Sequence, residues 1–330
     1  MTADDSIWTV RLAAAVLCVF GTVVLAWQFY RYLLVFPAAA GAAVALEMPL
    51  LLVGFAAFRL LRPVRAPALL WSAAALIWGA TAAAGCAVLA NRGLTGLWAK
   101  SVGVGFSSNW SDALSAPLNE ELLKACGVVM IVLAAPLAIN GPLDGLIFGA
   151  LTGLGFQVTE NVVYGLNGIV TSGATHPAQA VLNSVLVRVG TTGLGSHWTM
   201  TAVAGAGIGY LVAHSHRGGE LTPAIGCLLL AIGMHLLFDA PAVSVVIKVS
   251  VDFAIVAALY VLLRNAFMER ARRLLSAWAA TGVIGQTEAR SALSRRRRRS
   301  ELRRTSSPVV RYLLELRQRQ TMAAVEREAA

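Results

Sequence analysis

The chain has 330 residues, of which 57% are hydrophobic and 13% charged, with a mean hydropathy of +0.69. A soluble globular protein carries about 25% charged residues, so the composition excludes a soluble enzyme, a disordered chain and a fibrous one. The charge is partitioned: residues 264–330 hold 16 Arg and 6 Glu, whereas the first 263 residues are neutral overall. Arg exceeds Lys 24 to 3, which fits the coding bias of a GC-rich bacterium.

Apolar runs of the length a spanning helix needs recur along the chain. They predict an all-α, polytopic membrane helix bundle of about eight spans with a basic cytoplasmic tail. The spans fall near 9–29, 36–58, 68–90, 116–138, 143–166, 194–213, 222–241 and 243–263. Between the third and fourth lies an outer loop, 91–114, whose Trp98 and Trp110 suit an aromatic belt. The first run is retained, because further spans follow it and no small-residue cleavage site is evident. Residues 1–263 form the membrane domain and 264–330 the tail. Arg59, Arg62, Arg65 and the block Arg295–Arg299 belong inside by the positive-inside rule. An even number of spans puts both termini there, in the cytoplasm under the cell membrane. Cys18, Cys86, Cys126 and Cys227 share no short spacing, which argues against a disulfide framework.

One stretch resists a simple span. Residues 178–213 are mostly apolar, contain Arg188 and are too long for one straight crossing. The run Gly190–Gly195 marks a break. The expectation is a short outer-face helix over 178–190 and a true span from about Ser196, with a re-entrant segment as the alternative. Gly145, Gly149 and Gly153, and likewise Gly205 and Gly209, form small-residue rows suited to close helix packing.

Charged groups inside a membrane are costly, yet several spans carry them. The fourth opens with Glu120, Glu121 and Lys124; the fifth holds Gln157, Glu160 and Asn161; the sixth His197; the seventh His235 and Asp239. At 1.5 Å per residue, the expected boundaries deliver all of these to the outer third of the bilayer. The types suit hydrolysis. A carboxylate takes a proton from water, and histidines hold a metal or stabilise an oxyanion. His235 and Asp239 are four residues apart on one helix face. With a further ligand and a water they suit a Zn²⁺ site, although no HExxH is present.

The set Glu120-Glu121-x-x-Lys124, Phe156-x-x-x-Glu160-Asn161, His197 and His235-x-x-x-Asp239 resembles the PrsW family of intramembrane proteases, relatives of the CAAX-processing and bacteriocin-processing membrane endopeptidases. The resemblance covers about residues 115–242. It implies a metal-dependent endopeptidase, with zinc the expected cofactor. The expected substrates are membrane-anchored proteins, including anti-sigma factors, cut at the extracytoplasmic side. Combined with the residue types, it implies Glu120, Glu121 and Lys124 as catalytic groups and Glu160, His197, His235 and Asp239 as metal ligands. Asn161 and Gln157 would support them. The family often has Glu where this chain has Gln157, which can hydrogen bond but cannot act as a base.

Glu47, Arg188 and Asp252 lie outside the motif set and read as packing or interfacial residues, as does Tyr164. His176, His214 and His216 read as loop residues. The Arg block, followed by the amphipathic segment 309–327, suits an anionic lipid surface better than nucleic acid, for which no recognition motif is present. Two other functions use the same residues: a transporter or proton relay, which lacks a visible internal repeat here, and an inactive membrane scaffold. Substrate identity and oligomeric state are not encoded legibly.

Overall fold

The computed structural model describes residues 3–214 and 221–329. Among these the chain is helical, with no strand. In order the helices are α1 (Ala3–Val35), α2 (Pro37–Leu61), α3 (Leu69–Trp78), α4 (Ala84–Ser101), α5 (Val104–Ala134), α6 (Pro142–Thr171), α7 (Pro177–Gly190), α8 (His197–His214), α9 (Leu221–Asp239), α10 (Val245–Ala280), α11 (Gln286–Ala292), α12 (Arg295–Arg304) and α13 (Pro308–Glu328). A π-helical turn, Gly79–Ala83, joins α3 to α4 into one rod. Six rods are long and apolar enough to cross a membrane: α1, α2, α3–α4, α6, α9 and α10. Helices α5 and α8, which carry Glu120, Glu121, Lys124 and His197, correspond in sequence to the remaining two expected spans.

Helix α6 is the axis of the bundle. It is buried along most of its length, and its leucines, isoleucines and Phe148 form the main apolar core with residues of α2, α3, α5, α8 and α10. Its glycine row lets α8 lie directly on it. A Cβ at Gly145 would stand 2.0 Å from the Gly205 carbonyl oxygen, and one at Gly149 would stand 2.2 Å from that of Thr201.

Three sequence expectations change. The loop expected over 91–114 is helix, a tight turn and helix again, turning at Gly103 with φ 107°. The paired rods are stitched together by Trp98 Nε1 donating to Ser115 Oγ at 2.9 Å and Ser107 Oγ donating to the Thr95 carbonyl at 3.0 Å. As a result α5 begins more than three turns before the expected start. Pro117 sits inside it, and Glu120 and Glu121 lie at mid-helix.

The second change is the segment after α6. Helix α7 does not lie flat on the outer face. Val181 packs on Val162, Leu166 and Ile169, while Arg188 reaches Glu160 and Asn161, so α7 runs antiparallel down the second half of α6. Helix α8 then continues along the first half, with His197 at Gly153 and Gly209 at Gly141. Together α7 and α8 form one broken rod antiparallel to α6, and the break falls at mid-length, where Gly193–Ser196 faces Gly153 and Gln157. His197 is therefore not at the outer rim but about 16 Å along α6, with Glu160 about 27 Å along it.

The third is the basic segment. It begins within α10, which continues unbroken past residue 264. Helices α11–α13 fold back against the residues 62–66. Arg295 and Arg298 donate to the carbonyls of Arg62 and Val64 at 2.6 Å each. Arg65 pairs with Glu326 at 2.8 Å. Arg62 joins α6 through Asp144 at 2.7 Å. Arg11 of α1 holds the Ala134 carbonyl at 2.9 Å. These contacts gather the start of α1, the α2–α3 and α5–α6 connections and the tail at one end of the bundle. The four cysteines are free.

Candidate active site

Four rods meet at the break in α7–α8. From α5, Glu120, Glu121 and Lys124 point inward because they recur at i, i+1 and i+4, one helix face. All three are buried. Lys124 Nζ stands 2.6 Å from Glu121 Oε1 and 3.6 Å from Glu120 Oε2, with the Phe156 ring 4.3 Å away. This is a buried charge cluster, tolerable only because its members neutralise one another.

The two histidines are oriented by their partners. His197 Nε2 lies 2.7 Å from Glu160 Oε2, and its Nδ1 lies 3.1 Å from Lys124 Nζ. A carboxylate only accepts and an ammonium only donates. His197 therefore carries its proton on Nε2 and keeps a lone pair on Nδ1. His235 Nδ1 lies 3.0 Å from Glu121 Oε1, so a proton sits there, and Nε2 is the nitrogen left for a second proton or a metal. Glu120 Oε2 is 3.8 Å from each of these nitrogens, His197 Nδ1 and His235 Nε2, while the His197 lone pair accepts from Lys124 in this arrangement. That oxygen is buried without a hydrogen-bond partner, whereas Oε1 accepts from Asn91 Nδ2 at 2.9 Å. Asp239 Oδ2 lies 3.3 Å from the same His235 nitrogen. Two carboxylates aimed at one imidazole nitrogen are accommodated either by a second proton on that nitrogen or by a metal ion between them.

Glu120, His197 and His235 thus each offer a ligand atom within 4.8 Å of the others, the chemistry of a carboxylate–histidine metal set. The remaining ring nitrogens rest on Glu160 and Glu121, the arrangement that fixes the tautomer of a metal-bound imidazole.

All nine sequence-predicted residues lie in or beside this cluster. Asp239 sits at its edge at the end of α9. Asn161 points to the far side, donating to Glu47 Oε2 at 3.0 Å. Gln157 is buried in the break, its amide nitrogen 3.5 Å from the Gly193 carbonyl oxygen that also accepts from Trp198 Nε1 at 3.0 Å. Four contributors escape the motif set. Arg188 pairs with Glu160, bonds Asn161 Oδ1 at 2.7 Å and stacks on Tyr164 at 3.9 Å. Glu47 closes that chain. Asn91 holds Glu120, and Thr201 donates to Glu121 Oε2 at 3.1 Å. A lone arginine or glutamate in an apolar run was the available signal for Arg188 and Glu47. Nothing marks Asn91 or Thr201. His176 precedes α7, away from the cluster, and α8 ends at His214; His216 lies outside the described residues. Asp252 is buried with neither oxygen partnered.

A helical bundle with a buried cluster of histidines and carboxylates, two of the carboxylates on a cleft, has the residues that a membrane-embedded, metal-dependent hydrolase requires. The comparison with known proteins narrows this. The sequence model of the PrsW family intramembrane metalloproteases matches residues 67–264, more than half the chain, and the protein belongs to that family. It is a multi-pass membrane peptidase acting on protein substrates. No curated protein and no solved structure matches it.

Proposed function

We propose that the protein cuts membrane-anchored proteins within or just outside the bilayer, at the level of the break in α7–α8, using a metal held by Glu120, His197 and His235. The observation that carries this is the convergence of His197 Nδ1 and His235 Nε2 on Glu120 Oε2, a buried oxygen without a hydrogen-bond partner; a metal there would take the place that Lys124 holds at His197. The donor set fits zinc, with Asp239 or a water as the fourth ligand. A metal held there supplies a Lewis acid for the scissile carbonyl and lowers the pKa of water.

The residues divide the remaining work. Glu160 uses one oxygen, Oε2, for both Arg188 and His197. Glu160 also lines the cleft, and we assign it the role of proton acceptor. Glu121 holds the His235 tautomer, and Lys124 balances the buried carboxylates. The sequence reading gave the base to Glu120 or Glu121, and metal content separates the two assignments. Glu120→Gln should lose bound metal together with cleavage of a single-span reporter in lipid. Glu160→Gln should retain metal and lose about 10²–10⁴-fold in turnover. A Glu120→Gln protein that keeps its metal but not its activity returns the base role to Glu120. Full activity in both variants, or no inhibition by phenanthroline, removes this mechanism.

The rest of the setting follows the charge pattern. Counting α3–α4 and α7–α8 as one rod each supports eight crossings, with both termini and the basic tail cytoplasmic. Arg296, Arg297, Arg299, Arg303 and Arg304 are exposed and available to anionic lipid. An anti-sigma factor is one substrate of the expected kind. Broken helices also occur in transporters; metal-dependent cleavage separates that reading from this one.

A further inference from the structure

Two cavities open beside the site. The inner, 360 Å³, has Glu120, Glu160 and Asp112 on its lining together with Tyr164. The outer, 610 Å³, lies against the second half of α1 and is lined by Trp27, Arg31 and other residues. Gln28 and Arg92 line both, and their side chains hydrogen bond to each other at the neck. The two cavities adjoin at this pair and together outline a groove between α1, α4 and α6 toward the active-site carboxylates.

We propose that this groove seats the extended scissile segment of the substrate, and that Arg92 at its neck selects an acidic side chain there. The inference rests on the peptidase reading above. Three features point to a peptide and not a lipid. The groove ends on carboxylates, which an acyl chain avoids. Its inner wall carries polar side chains, Asn167 and Tyr164 among them, where a peptide backbone can hydrogen bond and an acyl chain cannot. Its volume is that of a ligand pocket, about 300–1,000 Å³. The charge is graded along it: acids at the floor, Arg92 at the neck and Arg31 beyond. Among the described residues neither arginine has an ion-pair partner, and Arg92 holds only the neutral Gln28 amide. A substrate acid is repelled from the floor and attracted at the neck, which fixes where along the segment it must lie. Arg92 is adjacent to Asn91, the residue that holds Glu120, so engagement at the neck bears directly on the site.

The test uses the full chain in lipid nanodiscs with single-span peptides that differ only by Asp, Asn or Lys at one position of the outer segment. That position is scanned along the segment. A photo-reactive residue placed at Val88 or Trp27 in the groove should cross-link the peptide, and one at Leu52 on α2 should not. At one position the Asp peptide should bind roughly three- to fivefold tighter than the Lys peptide, the yield of one partly exposed ion pair. Arg92→Glu should reverse that order, and Arg92→Gln, the milder change, should abolish it. Cross-links at Leu52 equal to those at Val88, no cross-link at all, or a preference indifferent to Arg92 overturns the proposal. So does a preference that follows the charge of the lipid instead of the peptide. Binding needs no turnover, so the two readings fail separately. Peptides that seat in the groove but are never cut count against the peptidase mechanism; peptides that are cut without touching Val88 or Trp27 count against the groove.

Discussion

Arg188 shows how one side chain can tie an element to a reaction centre. Its guanidinium joins Glu160, Asn161 and the Tyr164 ring, and through Asn161 it reaches Glu47 on α2. Removing it leaves Glu160 and Glu47 as half-buried or buried carboxylates without their cation. Truncation of one partner of such a pair costs about 3–5 kcal/mol. Arg188→Ala should therefore lower turnover and loosen α7, seen as faster amide exchange over 177–190 than over α6. Lys at this position keeps the charge but loses the fork that spans Glu160 and Asn161, so Arg188→Lys should recover only part of the activity. Equal exchange and equal turnover in the alanine variant would show that Arg188 is only packing. Gln157 offers a contrast: its contact with Gly193 is long, and Gln157→Ala should reduce activity far less than any change at Glu120, His197 or His235.

At the scale of elements, the contact between α6 and α8 carries the site. The glycine row brings the backbones together, and this contact sets His197 opposite Gly153. A side chain at Gly149 would meet the Thr201 backbone, which cannot yield as a flexible side chain can. Gly149→Leu should cost at least the 1–3 kcal/mol typical of overpacking and abolish metal binding although Gly149 touches no ligand. Thermal unfolding in detergent and metal content measure the two effects; a folded variant with normal metal would show that α8 is positioned by something else. The break between α7 and α8 has a different role. A continuous helix would satisfy its backbone internally, whereas here the Gly193 carbonyl is left to Gln157 and Trp198. Irregular backbone at membrane depth is tolerated where it is buried in protein or lines a cavity, and this break is packed against both α6 and α10.

At the scale of the whole molecule, the tail is part of the fold. Glu326 is 2% exposed between Arg62 and Arg65, and Met322 and Val325 beside it pack into the same core as Phe267 and Ala271 of α10. Burial pushes the Glu326 carboxyl above its usual range, and the two arginines oppose that. Glu326→Lys places three cations together and should release α11–α13, read as new protease cleavage between residues 281 and 308 in the membrane-embedded protein. An unchanged digestion pattern would mean that the apolar contacts suffice. Orientation is measured on the same scale. Single cysteines in the 172–176 connection should react with an impermeant thiol reagent from outside, and those in 135–141 only after the membrane is opened. The reverse pattern would invert the bundle and move the cleft to the cytoplasmic side.

The sequence by itself determined that the chain is a helical membrane protein, and it singled out acids and histidines that the fold brings into one cluster. Isolated charges in apolar runs are expensive, so each one that persists marks itself. It also marked the break at Gly190–Gly195, because 36 apolar residues exceed one crossing. It misplaced the start of α5: Ser115-Ala116-Pro117 carries the local signature of a helix N-terminus, and only packing against α4 shows that the helix runs through it. It set α7 on the surface, since the partner of Arg188 lies 28 residues away in sequence and no local pattern records such a pair. The tertiary structure alone decided which carboxylate faces which ring nitrogen, because that depends on the rotation and depth of four separate rods. Asn91 and Thr201, ordinary polar residues in sequence, acquire their contacts with Glu120 and Glu121 only through that assembly.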